Sequence, residues 1–403
     1  MLVAVGGCGV SGMDQCIRRD WEGTGFQDCR NPGGRGWTER SEGSPGGHVS
    51  RGFAPFGRSS HPNSALLDSD RYDAGMVTPL STPRAAYVHV PFCAHRCGYC
   101  DFTLVAGKDH LAGRYLAALE RELEALEHPR EVETLFVGGG TPTQLAAEEL
   151  ERLLQLMREW LHLTPGGEFS VEANPAGLTE EKVDVLHRYG VNRVSLGVQS
   201  FSAPVLELLE RDHRETDITG AIERIRNSIE NISLDLIFAV PGQTLDAWRQ
   251  AVLQAIDYRP AHISTYGLTF EKGTAFWARR ERGELRSADD ELERSMYELA
   301  MDVLPEHGFE QYELSNFARR GRECRHNEVY WAGLGYFGFG PGAASYVDGV
   351  RRTNHRSVTT WLKRMEAGAS AVGESETLSP EDRAREAIWL GLRRTRGIDR
   401  VGF

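Results

Sequence analysis

Basic side chains are in the minority in this chain, and no long apolar run is present. Lys and Arg number 46 against 58 Asp and Glu in 403 residues, which gives a formal net charge of −12 at pH 7. Affinity for phosphate backbones comes from clustered basic side chains, so a general nucleic-acid partner is disfavoured. A membrane helix needs ~20 consecutive apolar residues, so the sequence predicts no transmembrane segment.

Cysteine is also scarce, and its distribution argues against a secreted disulfide protein. The seven cysteines are Cys8, Cys16, Cys29, Cys93, Cys97, Cys100 and Cys324. An odd number, with three inside one short segment, does not fit a disulfide framework. A tight cluster in a cysteine-poor chain is typical of a metal or redox site in a reducing compartment. The apolar start of the chain is too short for a signal peptide, and we expect a cytoplasmic protein.

Residues 1–83 differ in composition from the rest of the chain. They hold 15 of the 44 glycines, and no helical or strand period persists in them. Such a composition buries too little apolar surface to offset chain entropy. The sequence predicts a disordered tail, with a mis-assigned start upstream of Met76 as the alternative.

From residue 84 to residue 272, short apolar runs alternate with amphipathic helical stretches. Strands are predicted near residues 86–90, 134–137, 168–172, 193–196, 233–238 and 262–267. Helices are predicted near residues 110–126, 147–161, 180–189, 219–229 and 245–258. This alternation predicts βαβ units and a parallel sheet, arranged as a partial (βα)6 barrel related to the TIM barrel.

Residues 273–403 break the alternation and are predicted to form an α+β addition. Helices are expected near residues 289–304, 359–367 and 380–392.

Three cysteines follow the first strand in a Cys-x3-Cys-x2-Cys pattern, at Cys93, Cys97 and Cys100. Thiolates ligate iron–sulfur clusters, and three of them leave one iron of a [4Fe–4S] cluster open to a small molecule. Structural zinc uses similar spacing but needs a fourth ligand, for which His89 or His95 is a candidate. Ligand count alone leaves cluster and zinc open.

The surrounding residues, YVHVPFCAHRCGYCDF from Tyr87 to Phe102, resemble the signature of radical S-adenosylmethionine (SAM) enzymes. More narrowly, they are similar to the oxygen-independent coproporphyrinogen III oxidases and their haem-chaperone relatives. The resemblance extends over about residues 85–400 and implies a radical SAM barrel with a [4Fe–4S] cluster on the three cysteines.

The resemblance also implies a SAM site at the ends of the strands. The expected residues are Tyr87, Phe102, Gly139, Gly140, Thr141, Glu172, Gln199, Arg211 and Asp235. It implies that Gln199 and Asp235 bind ribose hydroxyls. It also implies that Arg211 binds a carboxylate, which a planar guanidinium binds in bidentate fashion. Each group has a structural alternative: a glycine turn at residues 138–140, a helix-cap region after Glu172 and a core position for Tyr87. For Arg211, which is expected in a helical stretch, the alternative is a surface ion pair.

A second dense motif lies at Cys324–Trp331, where His-Asn-x-x-Tyr-Trp resembles a haem-associated motif of the haem chaperones. Histidine is a natural axial ligand of haem iron, so the resemblance implies that His326 contacts haem. The alternative is a hydrogen-bonded histidine packed under aromatic side chains. Ala344 stands where relatives commonly carry histidine.

Phe102 separates two possible functions. The related oxidases carry a fourth cysteine at this place, whereas the haem chaperones do not. The resemblance therefore implies a haem chaperone that binds the cluster, SAM and haem and transfers haem to haemoproteins, with an electron donor such as a flavodoxin or ferredoxin. The alternatives are radical SAM oxidative decarboxylation of coproporphyrinogen III and a zinc-binding protein. Relatives continue beyond the position of Phe403, so a shortened C-terminus is also expected.

Overall fold

The computed structural model describes residues 82–398. The predicted disordered tail, apart from its last two residues, therefore lies outside the described part of the chain.

The first two-thirds of this part alternate strands and helices. The strands are β1 (Ala85–Val90), β2 (Phe92–Cys93), β3 (Val105–Ala106), β4 (Arg130–Gly139), β5 (Leu161–Ala173), β6 (Arg193–Gln199), β7 (Asn231–Phe238) and β8 (His262–Gly267). The helices are α1 (Ala112–Glu124), α2 (Ala147–Trp160), α3 (Glu180–Arg188), α4 (Ala203–Leu208), α5 (Glu215–Arg226), α6 (Leu245–Asp257) and α7 (Ala275–Glu281).

Six long strands pair in parallel, each with the next along the chain, in the order β1-β4-β5-β6-β7-β8. A helix lies in every connection between these strands, beginning with α1 between β1 and β4, which confirms the partial (βα)6 barrel. All six predicted strands fall inside observed strands. Threonine side chains cap three of the helices: Thr179 accepts a hydrogen bond from the Lys182 amide, Thr244 from that of Ala247 and Thr274 from that of Trp277.

The C-terminal region extends both edges of the barrel sheet. Its elements are α8 (Asp290–Glu306), β9 (Glu310–Gln311), β10 (Asn316–Ala318), α9 (Arg325–Trp331), β11 (Phe337–Phe339), β12 (Ala344–Val347), β13 (Val350–Asn354), α10 (Val358–Glu366), β14 (Val372–Thr377) and α11 (Pro380–Gly391). Strand β11 pairs in parallel with β1, and β10 pairs in antiparallel with β8. Strands β12, β13 and β14 form a separate antiparallel sheet.

The barrel core is apolar between the sheet and its helices. Helix α1 buries Leu119 and Leu123 completely, and α2 buries Leu150, Leu153 and Met157. Residues four or seven apart lie on one face of a helix, so these positions form the stripe that packs on the sheet. No helix between residues 82 and 398 is long and apolar enough to cross a membrane.

Candidate functional site

A cavity opens where the parallel strands end, the face that carries chemistry in barrels of this type. Its volume is about 1240 Å³ when the space at its open mouth is included. The structure brings most of the predicted site residues to its wall: Cys93, Cys97, Cys100, Phe102, Gly139, Gly140, Thr141, Glu172, Gln199, Arg211 and Asp235. Tyr87 and His326 are not among its lining residues.

Cys93 ends strand β2, and Cys97 and Cys100 lie on the loop from β2 to β3. The two strands pair in parallel and close this cysteine loop at its base. All three are half-buried, unpaired thiols. Burial raises the pKa of Cys93 to about 11 and that of Cys100 to about 12, so metal loading must displace protons from these sulfurs. The Thr141 hydroxyl lies 3.5 Å from the Cys93 sulfur.

The cysteine loop fits the donor set of a [4Fe–4S] cluster better than that of zinc. His89 is buried with both ring nitrogens in hydrogen bonds, and His95 is exposed with Nε2 3.6 Å from Glu210. Within residues 82–398, no three His, Cys, Asp or Glu side chains gather closely enough to hold one metal ion. A cluster binds each thiolate to a different iron, so its sulfurs need not converge on one point, whereas tetrahedral zinc requires that they do.

The glycines after β4 are required by close packing. A Cβ on Gly140 would lie 2.7 Å from the Phe92 carbonyl oxygen and 2.9 Å from that of Val90. Gly139 has a φ of +111°, and a Cβ there would clash with the His89 ring. These glycines let the end of β4 approach the base of the cysteine loop, which a residue with a side chain would prevent.

Two half-buried carboxyl groups line the cavity wall. Glu172 is the penultimate residue of β5 and accepts a 2.8 Å hydrogen bond from the Gly139 amide. Asp235 on β7 accepts hydrogen bonds from Ser195 (3.0 Å) and Ser233 (3.3 Å). Burial raises the pKa of Glu172 to about 8, and the neighbouring Asp235 adds to this rise. Burial also raises the pKa of Asp235, partly offset by the serine hydroxyls. The pair is suited to accept hydrogen bonds from a cationic or hydroxyl-bearing ligand.

Arg211 joins the cysteine loop to the ends of β5 and β6. Its Nη1 lies 3.7 Å from the Cys97 sulfur, and its Nη2 donates to Asn174 Oδ1 at 2.6 Å and to the Gly197 carbonyl at 3.1 Å. Its Nε is buried without a hydrogen-bond partner among the described residues. This contact set replaces the surface ion pair that was the alternative interpretation.

The expected helical position of Arg211 is wrong. Helix α4 ends at Leu208, and Glu210 takes a left-handed φ of +55°. The Arg211 amide then donates back to the Leu206 carbonyl at 2.9 Å, as in a Schellman-type helix end. This turn places Arg211 beside Cys97.

Gln199 also has a left-handed backbone, with a φ of +62°, at the irregular step where β6 leaves its register with β7. A non-glycine residue in this region is strained and is held by its surroundings.

Tyr87 occupies the core position that was the alternative to a SAM contact. It is 2% exposed, and its hydroxyl lies 3.0 Å from Nδ1 of His89. The other nitrogen of His89 lies 2.6 Å from the Thr103 carbonyl, which can only accept, so Nε2 carries the proton and Tyr87 donates to Nδ1. Tyr87 is therefore linked through His89 to the segment that follows Cys100.

Sequence reasoning missed several residues of the cavity wall, namely Tyr99, Asn174, Ser195 and Tyr266. Asn174 falls in the helix-cap region that was the alternative after Glu172, yet it binds Arg211 through Oδ1 and Asp212 through Nδ2. Its position directly after a barrel strand was the available signal. Tyr266 lies near the end of β8 and had the same signal. Tyr99 had none, since an isolated tyrosine is usually a core residue.

The geometry does not support His326 as a haem ligand. The side chain is 1% exposed, with Nδ1 2.9 Å from the Thr134 hydroxyl and Nε2 2.9 Å from that of Tyr330. Its ring stacks on Phe136 at 5.2 Å, and burial lowers its pKa to about 3. Both nitrogens are engaged, which matches the alternative of a hydrogen-bonded histidine under aromatic side chains.

Glu168 anchors the segment that carries His326. Its carboxylate accepts hydrogen bonds from the amides of Arg325 (2.9 Å) and His326 (3.2 Å). Thr134 on β4 pairs with Glu168 on β5 and with Ala85, the first residue of β1, at the end of the barrel opposite the cysteine loop. The motif therefore closes the amino-terminal end of the barrel.

Comparison with known proteins agrees with this geometry. The Radical SAM superfamily model matches residues 87–255. The chain is 38% identical over 325 residues to "Heme chaperone HemW" of Bacillus subtilis, covering 79% of this chain and 86% of that protein. It is 39% identical over 320 residues to the protein of the same name from Lactococcus lactis subsp. lactis, covering 79% and 84%.

Among solved structures, coproporphyrinogen III oxidase (HemN) from Escherichia coli shares the fold, with a TM-score of 0.69. It is 24% identical and the match covers 77% of this chain and 76% of that one. At 320–325 residues, the matches to these two relatives are longer than the barrel alone. The chain therefore belongs to the HemW family of radical SAM proteins.

Proposed function

We propose that this protein is a haem chaperone of the HemW type, which binds a [4Fe–4S] cluster, SAM and haem and transfers haem to haemoproteins. The observation that carries the proposal is the 38–39% identity, over about four-fifths of the chain, to relatives that bear this name. Phe102, at the place of the fourth cysteine of the oxidases, favours the chaperone over coproporphyrinogen III oxidation.

Cys93, Cys97 and Cys100 would hold the cluster. A bound [4Fe–4S] cluster with one open iron supplies a chelation site for a small molecule and a source of single electrons. The protein contributes a half-buried loop for the thiolates, and Arg211 places positive charge 3.7 Å from the Cys97 sulfur. A nearby cation offsets part of the negative charge that thiolate ligands bring to a metal site.

SAM would occupy the cavity beside the cysteine loop. Glu172 is placed to accept hydrogen bonds from an ammonium group, and Asp235 and Gln199 to bind hydroxyls. Arg211 has a buried Nε without a partner, and a ligand carboxylate would supply one. Gly139, Gly140 and Thr141 form the adjoining wall, and Phe102 lines the cavity on the side of the cysteine loop.

No residue of this chain is assigned to haem iron, because His326 has no nitrogen available for it. The haem-binding part of the proposal depends on the relatives alone. Haemoproteins as recipients, a flavodoxin- or ferredoxin-type electron donor and a cytoplasmic location belong to the same proposal. The free thiols of Cys93, Cys97, Cys100 and Cys324 suit a reducing compartment.

The test is anaerobic and compares two activities of the reconstituted protein. We expect haem-loaded protein to activate a haem-free haemoprotein, and we expect no protoporphyrinogen from coproporphyrinogen III with SAM and reductant. Appreciable protoporphyrinogen formation would contradict the chaperone function and favour the oxidase function. A preparation that retains zinc without iron or sulfide would overturn both.

A further inference from the structure

Five consecutive backbone carbonyls after the third cysteine are each held by a side chain. They belong to residues 100–104, the arm that leads from Cys100 into β3. Arg96 donates to the carbonyls of Cys100 (3.3 Å), Phe102 (3.4 Å) and Leu104 (2.8 Å). Arg356 donates to that of Asp101 at 3.3 Å, and His89 to that of Thr103 at 2.6 Å.

This pattern gives the arm its shape. In a helix or a sheet, backbone carbonyls are satisfied by other backbone groups, but here side chains take that role. Hydrogen bonds from a charged donor are shorter or stronger than neutral ones, and one guanidinium can serve several acceptors in a plane. Arg96 lies between the first two cysteines and spans the arm that follows the third.

The arm also forms part of the cavity wall. Phe102 and Leu104 line the cavity, and Cys100 begins the arm. A displacement of these carbonyls would move the third cysteine relative to Cys93 and Cys97. It would also move the Phe102 side chain that lines the cavity.

Arg356 reaches the arm from the C-terminal region. It lies between β13 and α10, a chain separation of 255 residues from Asp101. The described C-terminal region therefore contributes directly to the loop that carries the cysteines.

We propose that Arg96 is a positioning residue for the cysteine loop, with Arg356 as its counterpart from the C-terminal region. Arg96 sets the position of Cys100 and Phe102 through the carbonyls of the arm. This inference rests on the proposed cluster-binding function.

The test compares Arg96→Gln with Arg130→Gln. Arg130 is a matched control, because it also donates to two loop carbonyls, those of Leu126 (2.9 Å) and His128 (3.0 Å), away from the cysteines. Three readouts are taken: the rate at which a chelator removes iron from the reconstituted protein, the electron paramagnetic resonance (EPR) spectrum of the reduced cluster, and amide hydrogen exchange of residues 100–107 in the cluster-free protein.

For Arg96→Gln we expect iron loss and local exchange about tenfold faster than in wild type, and an altered EPR spectrum. Arg96→Lys should give values between those of wild type and Arg96→Gln, since an ammonium group is less suited than a guanidinium to bind three carbonyls. Arg356→Gln should show a smaller change in the same direction and tests the same arm if Arg96→Gln fails to fold. Arg130→Gln should match wild type.

Wild-type values for Arg96→Gln in all three readouts would overturn the inference, as would an equal loss in Arg130→Gln. A wild-type protein that takes up no cluster would instead contradict the proposed function. Hydrogen exchange in the cluster-free protein would still test Arg96 in that case.

Discussion

The Gly139 amide donates a 2.8 Å hydrogen bond to the Glu172 carboxylate and so joins the ends of β4 and β5 at the cavity. A Cβ on the preceding Gly138 would lie 2.7 Å from Glu172 Oε2. The carboxyl group is therefore enclosed by backbone on one side and open to the cavity on the other. Its position makes Glu172 the natural contact for a cationic group that enters.

Stability of the cluster-free protein should depend on pH through Glu172. Its pKa is raised from 4.5 to about 8, so the folded state favours the protonated form. The stabilising contribution is present below pH 4.5 and is lost as the pH rises through 8. We expect the unfolding free energy to fall over this window, by the order of a few kcal/mol at most.

Denaturant unfolding of wild type and Glu172→Gln at several pH values measures this effect. The variant should show a shallower decline, although not a flat one, because burial also raises the pKa of Glu122 to about 7. Parallel pH profiles for the two proteins would show that Glu172 titrates normally.

Replacing any one of the three loop cysteines should abolish cluster retention. Cys93→Ala, Cys97→Ala or Cys100→Ala leaves two thiolates for four irons, so iron content after anaerobic reconstitution should fall to about a tenth of wild type or less. Cys324→Ser is the control, because Cys324 is buried against Glu168 with its sulfur 3.5 Å from Oε1. Iron and sulfide analysis measures the outcome. An equal loss of iron in Cys324→Ser would contradict a specific role of the three loop cysteines in holding the cluster.

Gly140→Ala should destabilise the fold and disturb the cysteine loop. The new Cβ would meet two backbone oxygens below 3 Å, and neither belongs to a side chain that can rotate away. Overpacking of this kind costs about 1–3 kcal/mol. The control is Gly113→Ala in α1, where a Cβ meets nothing within 4 Å and helix propensity predicts a slight gain.

Thermal unfolding and iron content measure both glycine variants. Unchanged stability in Gly140→Ala would mean that β4 and the cysteine loop can separate without cost.

His326 should act on stability rather than on haem. Removal of the imidazole leaves the Thr134 and Tyr330 hydroxyls without their partner, so we expect His326→Ala to lose about 2–4 kcal/mol of unfolding free energy. His326→Gln retains an amide donor and acceptor and should lose less. Haem titration of the glutamine variant should reproduce the wild-type affinity and spectrum. A normal melting temperature with a lost haem spectrum would restore His326 as a ligand.

Periodicity predicted the barrel well because each strand and helix of the barrel has its own apolar pattern. The predicted strand at residues 262–267 matches β8 without an offset. Strand β11 was missed because three residues carry no pattern, and only its pairing with β1 defines it. Strand β10 was missed for the same reason. It has three residues, and its partner β8 lies some fifty residues earlier in the chain.

The site was predictable where residues follow strands, and less so where local backbone geometry decides. Glu172 and Asp235 stand in or at the end of strands, and parallel strands bring such positions to one cavity. The position of Arg211 depends on the left-handed turn at Glu210, which a glutamate does not indicate. The position of His326 depends on Thr134 and Tyr330, and a motif alone cannot distinguish a ligand from a buried hydrogen-bonded residue.

The central claim is that the cysteine loop and the strand ends form one cluster-and-SAM site. The most direct measurement is EPR spectroscopy of the anaerobically reconstituted, reduced protein with and without SAM. The account predicts about four iron and four sulfide per chain and a spectrum that changes on SAM addition in wild type, with the SAM response weakened in Arg211→Gln. A stable cluster whose spectrum ignores SAM, or a protein that holds zinc in place of iron, would contradict it.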